Sequence, residues 1–335
     1  MTRLPKRPSF AILVQDFFCD RLIQQQNVSS HTVASYRDSF RLLLKYCQER
    51  KRKAPEKLKP EDLDAPMVLA FLDYLERRRH NSVRTRNTRL AAVRSFMRYV
   101  QARDPSMMAI AQRVLAIPAK RFHRPLLGYL SQEEVTAIIA APSRDTWNGR
   151  RDRMLLTLLY NTGARVSEAI NLRRMDVALT PMRTVRIRGK GRKERQVPLW
   201  KTTTALFAGW LKEIDSGPES PLFPNRYGQA MSRSGVEDRL AQAVAAAVPS
   251  CPSLRGKKVS PHTMRHTTAM HLLQAGVDIT VIALWLGHQS SETTHQYIET
   301  DLAMKQRALE RLDEPSVRKG RFRAGDDLLR FLDSL

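Results

Sequence analysis

Residues 162–172 read TGARVSEAINL. An apolar helical run through Met154, Leu155, Leu158 and Leu159 ends at Asn161-Thr162-Gly163, and a second helix begins at once with Val166, Ala169 and Leu172. Arg165 stands between them, at the start of the second helix. A guanidinium there can fork onto two oxygens of one phosphate, which a lysine ammonium cannot do. An arginine beside a turn is most often an ordinary surface residue, so the words downstream decide the reading.

Further on, TVRIR (184–188) and ERQVPL (194–199) alternate like strands around the glycine-rich turn RGKGRK, which reads as a hairpin. Lys190 lies at its tip, with Lys193 as a rival and Arg192 between them. A turn lysine is by default solvated. In PHTMRH (261–266), His262 and Arg265 have the spacing of one helical face. His262 and His266 are four apart, which invites a zinc reading. That word needs Glu after the first His, and Thr263 stands there; Arg265 between them would also oppose a cation. His288 follows an apolar helix in WLGHQS (285–290), and Tyr297 comes nine residues later in ETTHQYIET (292–300).

A phosphodiester resists attack because its oxygens are negative and its leaving alkoxide is poor. Cations must neutralise the charge that builds in the transition state. The sequence offers no carboxylate cluster suited to magnesium, so side-chain cations are expected to do this work and no metal or cofactor is expected. A phenol is a poor nucleophile at its free pKa of about 10; nearby cations favour the phenolate and activate it.

The ordered set Arg165, Lys190, His262, Arg265, His288 and Tyr297 resembles the tyrosine recombinases, or phage-type integrases, over roughly residues 129–312. The resemblance implies Tyr297 as nucleophile and Arg165 and Arg265 as phosphate clamps. It implies His262 as a proton handler, and His288 as a hydrogen-bond donor to the phosphate that helps position the nucleophile. Lys190 would protonate the 5′-oxygen leaving group. Glu168 would buttress the active-site cations, although its place on the helix also suits a plain surface charge. The implied reaction cuts one strand at a time through a 3′-phosphotyrosine and exchanges strands through a Holliday junction. Integration or transposition of a mobile element is the expected setting. Xer-like chromosome or plasmid dimer resolution, a type IB topoisomerase and an inactive DNA-binding relative are the alternatives.

Upstream of these words the chain reads as helices. Phe10, Leu13, Phe17 and Leu22 share a face; Ser29 and Ser30 can cap a second helix through Tyr36, Phe40, Leu43 and Cys47. The polar stretch KRKAPEKLKPEDLDA breaks the pattern, and helices through Phe71 and through Leu90, Val93 and Phe96 follow. The last carries Arg84, Arg86, Arg89, Arg94 and Arg98 with almost no interleaved acid, which reads as an unpaired face for phosphates. Residues 118–128 read as a basic linker bearing Lys120 and Arg121; with Arg192 and Lys193 these complete the expected DNA contacts.

The expected fold is mainly α. A helical domain over 1–117, which the resemblance makes a SAM-like core-binding domain, precedes an α-rich catalytic domain over 129–312 with a small antiparallel sheet, the DNA breaking-rejoining fold. Residues 313–335 form an amphipathic tail, read as an intersubunit helix or one folded back on its own domain. Lys and Arg outnumber Asp and Glu by 57 to 33, for a net charge of +24, a balance that attracts polyanions. The three cysteines form no CxxC pair, and no run approaches a transmembrane span. The expected partner is double-stranded DNA with specific recombination sites, met in the cytoplasm at the nucleoid. The resemblance adds a homotetramer on synapsed DNA, a monomer or dimer when free, and room for partner recombinases.

Overall fold

The computed structural model describes residues 8–122, 128–189 and 193–287. Two units are resolved, Met1–Pro125 and Leu126–Leu335. Lys190, Arg192, His288, Tyr297 and the tail 313–335 lie outside the described residues.

In the N-terminal unit Ser9 caps α1 (Phe10–Asp16), which runs on as a π-helical segment, Phe17–Gln25. Ser29 caps α2 (Ser30–Lys51), Asp64 caps α3 (Ala65–Arg77) and Ser82 caps α4 (Val83–Arg103); α5 (Met108–Leu115) follows. Each cap oxygen takes an amide that the helix cannot satisfy itself. The inward faces meet in an aromatic cluster. Phe17 lies 5.3 Å edge-on from Phe96, and Phe40 lies 5.2 Å edge-on from Phe96. Such pairs add about 0.5–1.5 kcal/mol each beyond the area they bury.

The arginine face of α4 departs from the expectation. Arg84 and Arg98 are exposed, but Arg86 is 4% exposed. The Arg86 guanidinium donates to Pro118 O at 3.2 Å and lies 3.9 Å from the Glu76 carboxylate. Arg94 donates to Ile117 O. Lys120 pairs with Glu76 at 2.7 Å, and Asn87 bonds both backbone groups of Lys120. The face is therefore not unpaired at Arg86 and Arg94, and Lys120 is engaged too. A guanidinium turned inward must find acceptors, and the chain leaving α5 supplies them. For the same reason Pro118 and Lys120, at the start of the expected linker, are tied to α3 and α4.

The C-terminal unit opens with α6 (Gln132–Ala140), whose capping box joins Ser131 and Glu134. Glu134 also takes Lys257 at 2.7 Å, which ties α6 to the loop before α11. Next come α7 (Trp147–Thr162) and α8 (Val166–Ile170). Strands β1 (Val177–Ala178), β2 (Thr184–Arg188) and β3 (Glu194–Pro198) form an antiparallel sheet in the order β1-β2-β3. The hairpin is the expected one; β1 is too short to show a period. Helices α9 (Lys201–Trp210), α10 (Arg233–Ala247), α11 (Pro261–Gln274) and α12 (Ile279–Leu286) complete the described part. Leu155, Leu158 and Leu159 of α7 are buried in one core with Val185, Ile187 and Val197 of the sheet. A smaller core under α12 joins Met270 and Leu273 to Ile282 and Leu286.

Candidate active site

Helix α7 ends at Gly163, whose φ of +59° is the left-handed turn that glycine adopts most easily. A Cβ there would stand 2.4 Å from Leu286 Cδ2. The missing side chain therefore lets the end of α12 sit on the turn that presents Arg165. Arg265 locks this approach. It is 3% exposed, and its guanidinium donates to Gly163 O at 2.6 Å and to Leu286 O at 2.7 Å. One side chain thus joins the turn two residues before Arg165 to the chain two residues before His288. The last carbonyls of a helix have no partner within it, and a cation at that end also meets the favourable side of the helix dipole.

Arg165 is the N-cap residue of α8, and its side chain is 40% exposed. Its guanidinium lies 2.8 Å from Glu168 Oε1, and its amide donates to Glu168 Oε2 at 2.9 Å. Glu168 is no surface charge: its side chain is 4% exposed, and Arg195 donates to it at 2.7 Å. Burial pushes the Glu168 carboxyl up. Arg195, and then the Arg165 amide and guanidinium, outweigh that and hold it below its ordinary value of 4.5. The carboxylate stays charged and fixes one edge of Arg165, while the rest of that guanidinium faces solvent.

His262 is exposed in the first turn of α11, whereas Arg265 three residues on is buried. Arg265 points to the α7 turn and the end of α12, so only His262 of the pair stands at the surface. His266 is buried, edge-on to Tyr129 at 6.4 Å between ring centres. Of the other tyrosines of this unit, Tyr160 bonds His271 Nδ1 at 2.7 Å; burial raises the Tyr160 phenol and lowers the His271 imidazole. Tyr227 is 69% exposed beside Arg226. Lys193 is exposed at the foot of the hairpin, where its carbonyl accepts from Gly189 N at 2.8 Å. Among the described residues no three His, Cys, Asp or Glu side chains are grouped to hold a metal ion, and no helix is long and apolar enough to cross a membrane.

Residues 128–304, which span this arginine cluster, match the model of the phage integrase family; residues 16–104 match the model of the phage integrase N-terminal SAM-like domain. The chain belongs to the phage integrase family. Within this tyrosine recombinase family it is 49% identical over 332 residues to the Sinorhizobium fredii protein y4rC, which carries an integrase/recombinase name, covering 99% of this chain and 100% of that protein. It is 32% identical over 298 residues to tyrosine recombinase XerC of Syntrophus aciditrophicus, covering 85% and 92% of the two chains. The solved structure of XerH site-specific recombinase bound to palindromic difH substrate has the same fold. Its TM-score is 0.68 at 22% identity, over 86% of this chain and 82% of that one.

Arg195 is the residue of this integrase's site that the sequence reading does not single out. A signal for it exists. Arg195 pairs across the sheet with buried Ile187, and strand alternation puts it on the side of Val197. An arginine on the apolar side of a strand needs a buried acceptor, and Glu168 provides one.

Proposed function

We propose that this chain is a site-specific recombinase that cuts and rejoins double-stranded DNA without a metal. Tyr297 Oη attacks the phosphorus, the bond from phosphorus to the 5′-oxygen breaks, and a 3′-phosphotyrosine forms. The departing 5′-oxygen takes a proton from Lys190, or from its neighbour Lys193. Arg165 and Arg265 hold the charge that gathers on the phosphate oxygens, with His262 and His288 as proton handler and hydrogen-bond donor. The 5′-hydroxyl of a partner duplex then attacks the phosphotyrosine and releases Tyr297. Two such rounds pass through a Holliday junction, on a tetramer of the chain. The phosphotyrosine conserves the bond energy, so the cycle is complete without ATP.

The observation that carries this reading is the bridge from Arg265 to Gly163 O and Leu286 O. It draws the segments leading to Arg165 and His288 together around one buried cation, which supports a single site for cations on one phosphate. Exposed Arg84 and Arg98, half-buried Arg89, and Arg121 are the remaining candidates for phosphate contact in the N-terminal unit.

The setting we propose is integration or transposition of a mobile element, supported by the full-length likeness to y4rC. Xer-like dimer resolution is the second reading, favoured by the likeness to XerC. The test begins with a duplex sequence selected by the chain from a randomised library, then nicked beside the cleavage point so that the released strand diffuses away. A covalent adduct that forms in excess EDTA and maps to the Tyr297 peptide is the expected result. A strict need for magnesium, or an adduct on another residue, contradicts the mechanism. Selected sites that flank the chain's own gene would favour the mobile-element setting; a single chromosomal site elsewhere would favour the second reading. Relaxation of plasmids lacking any selected site would point to a topoisomerase.

A further inference from the structure

Arg195 is not among the residues to which the family resemblance gives a role, yet it joins the acid that holds Arg165 to the last turn of α12. Its side chain is 11% exposed. Nε donates to Trp285 O at 2.8 Å, and a terminal nitrogen donates to Glu168 Oε2 at 2.7 Å. The guanidinium also lies against two glycines. A Cβ on Gly287 would stand 3.0 Å from the Arg195 terminal nitrogen and 3.2 Å from its Cδ. A Cβ on Gly189 would stand 3.4 Å from Glu168 Oε1 and 3.7 Å from the Arg195 guanidinium. Gly189 directly precedes Lys190, and Gly287 directly precedes His288. Glu168 in turn holds the amide and the guanidinium of Arg165.

We propose, resting on the reading of the site given above, that Arg195 is a positioning residue for strand cleavage. It clamps Glu168 against Arg165 and pins the β2–β3 hairpin to the end of α12, so that Arg165 and the residues after Gly189 and Gly287 meet one phosphate together. The planar fork of arginine suits this task because its acceptors lie on two different elements, and one ammonium cannot span them. The carbonyl it takes on α12 is in the last helical turn, which needs an outside donor. A 1 Å misplacement of a catalytic group can cost about 100-fold in rate, so a clamp at this junction acts on cleavage more than on DNA affinity.

The test uses the full chain and the nicked suicide duplex selected by the wild type. A wild-type adduct on this duplex checks the reading of the site; its absence would sink that reading, and this proposal with it. With the adduct in hand, Arg195→Met should fold and bind the duplex within about 3-fold of wild type, while its single-turnover adduct rate falls about 100-fold. Arg195→Lys should recover little, because it keeps the charge but not the reach, and it carries the test should the Met variant fail to fold. In a Glu168→Gln background the same Arg195 substitution should cost only a few-fold, because much of its effect passes through that carboxylate. The proposal is overturned by an unchanged adduct rate in the folded Arg195 variants. It is overturned equally by losses of affinity and thermal stability that account for the whole loss of rate, or by an equal cost of the substitution in both backgrounds.

Discussion

Arg86 in the N-terminal unit and Arg265 in the C-terminal unit are both buried, and both end on backbone carbonyls. What those carbonyls belong to separates them. Arg86 bonds Pro118 O beside Glu76, and so holds the chain to the bundle where it leaves α5. Arg265 bonds Gly163 O and Leu286 O, and so holds together the turns that lead to two proposed catalytic residues. Burial of an arginine therefore does not mark a site by itself. The segments it joins decide whether its loss should be felt in the fold or in the reaction.

The contrast is sharpest at Arg265. Arg265→Ala removes a phosphate clamp, and the adduct rate on the nicked duplex should fall at least about 1,000-fold by loss of transition-state stabilisation. It also leaves two buried carbonyls short of a donor, at about 1–3 kcal/mol each, so its melting temperature should drop as well. A folded Arg265→Ala protein with near-normal cleavage would erase the difference from Arg86.

Glu168 comes next. Glu168→Gln breaks a buried pair and should cost about 3 kcal/mol in chemical denaturation. The folded carboxyl is held below 4.5, so its contribution is fully present above that value and is lost as the pH falls through the lower folded pKa. Stability of the wild type should therefore carry an acid-dependent component in this window that the Gln variant lacks. Equal acid sensitivity in both would remove Glu168 from the charge network.

Arg86→Met should destabilise the N-terminal unit by about 2 kcal/mol through its orphaned partners, while cleavage per folded, DNA-bound molecule stays at the wild-type level. The smallest effect belongs to exposed Arg98. Arg98→Ala should weaken DNA binding only a few-fold and reduce the salt slope by about one, as for a single phosphate contact. A salt slope that does not change would take Arg98 out of the interface.

Most of the helical frame was legible from the amino-acid pattern, because caps and periodic apolar residues are local signals. Ser29 caps α2 in the structure, and the strands on either side of RGKGRK pair antiparallel. The Gly163 turn was legible too, since few residues besides glycine take a left-handed helix end. The partners of charged side chains were not. Nothing near Arg86 and Arg94 in the sequence announces Ile117 and Pro118 as acceptors, so the α4 face read as free. Arg195 was missed for the same reason: its acceptors, Glu168 and Trp285 O, are 27 and 90 residues away along the chain. Tertiary contacts of this length leave no mark in a local pattern beyond a cation at an inward strand position.

On this reading the C-terminal arginines act on the reaction and the exposed N-terminal ones on affinity. Arg165 is the sharpest case, because its side chain is 40% exposed and Glu168 keeps Arg195 as a partner when Arg165 is removed. Binding and adduct formation should be measured for Arg165→Ala on the same nicked duplex, at protein concentrations that saturate the DNA. Affinity should stay within a few-fold of wild type while the adduct rate falls by at least about 100-fold. Affinity and adduct rate falling together by the same factor, with no loss of rate at saturation, would contradict it.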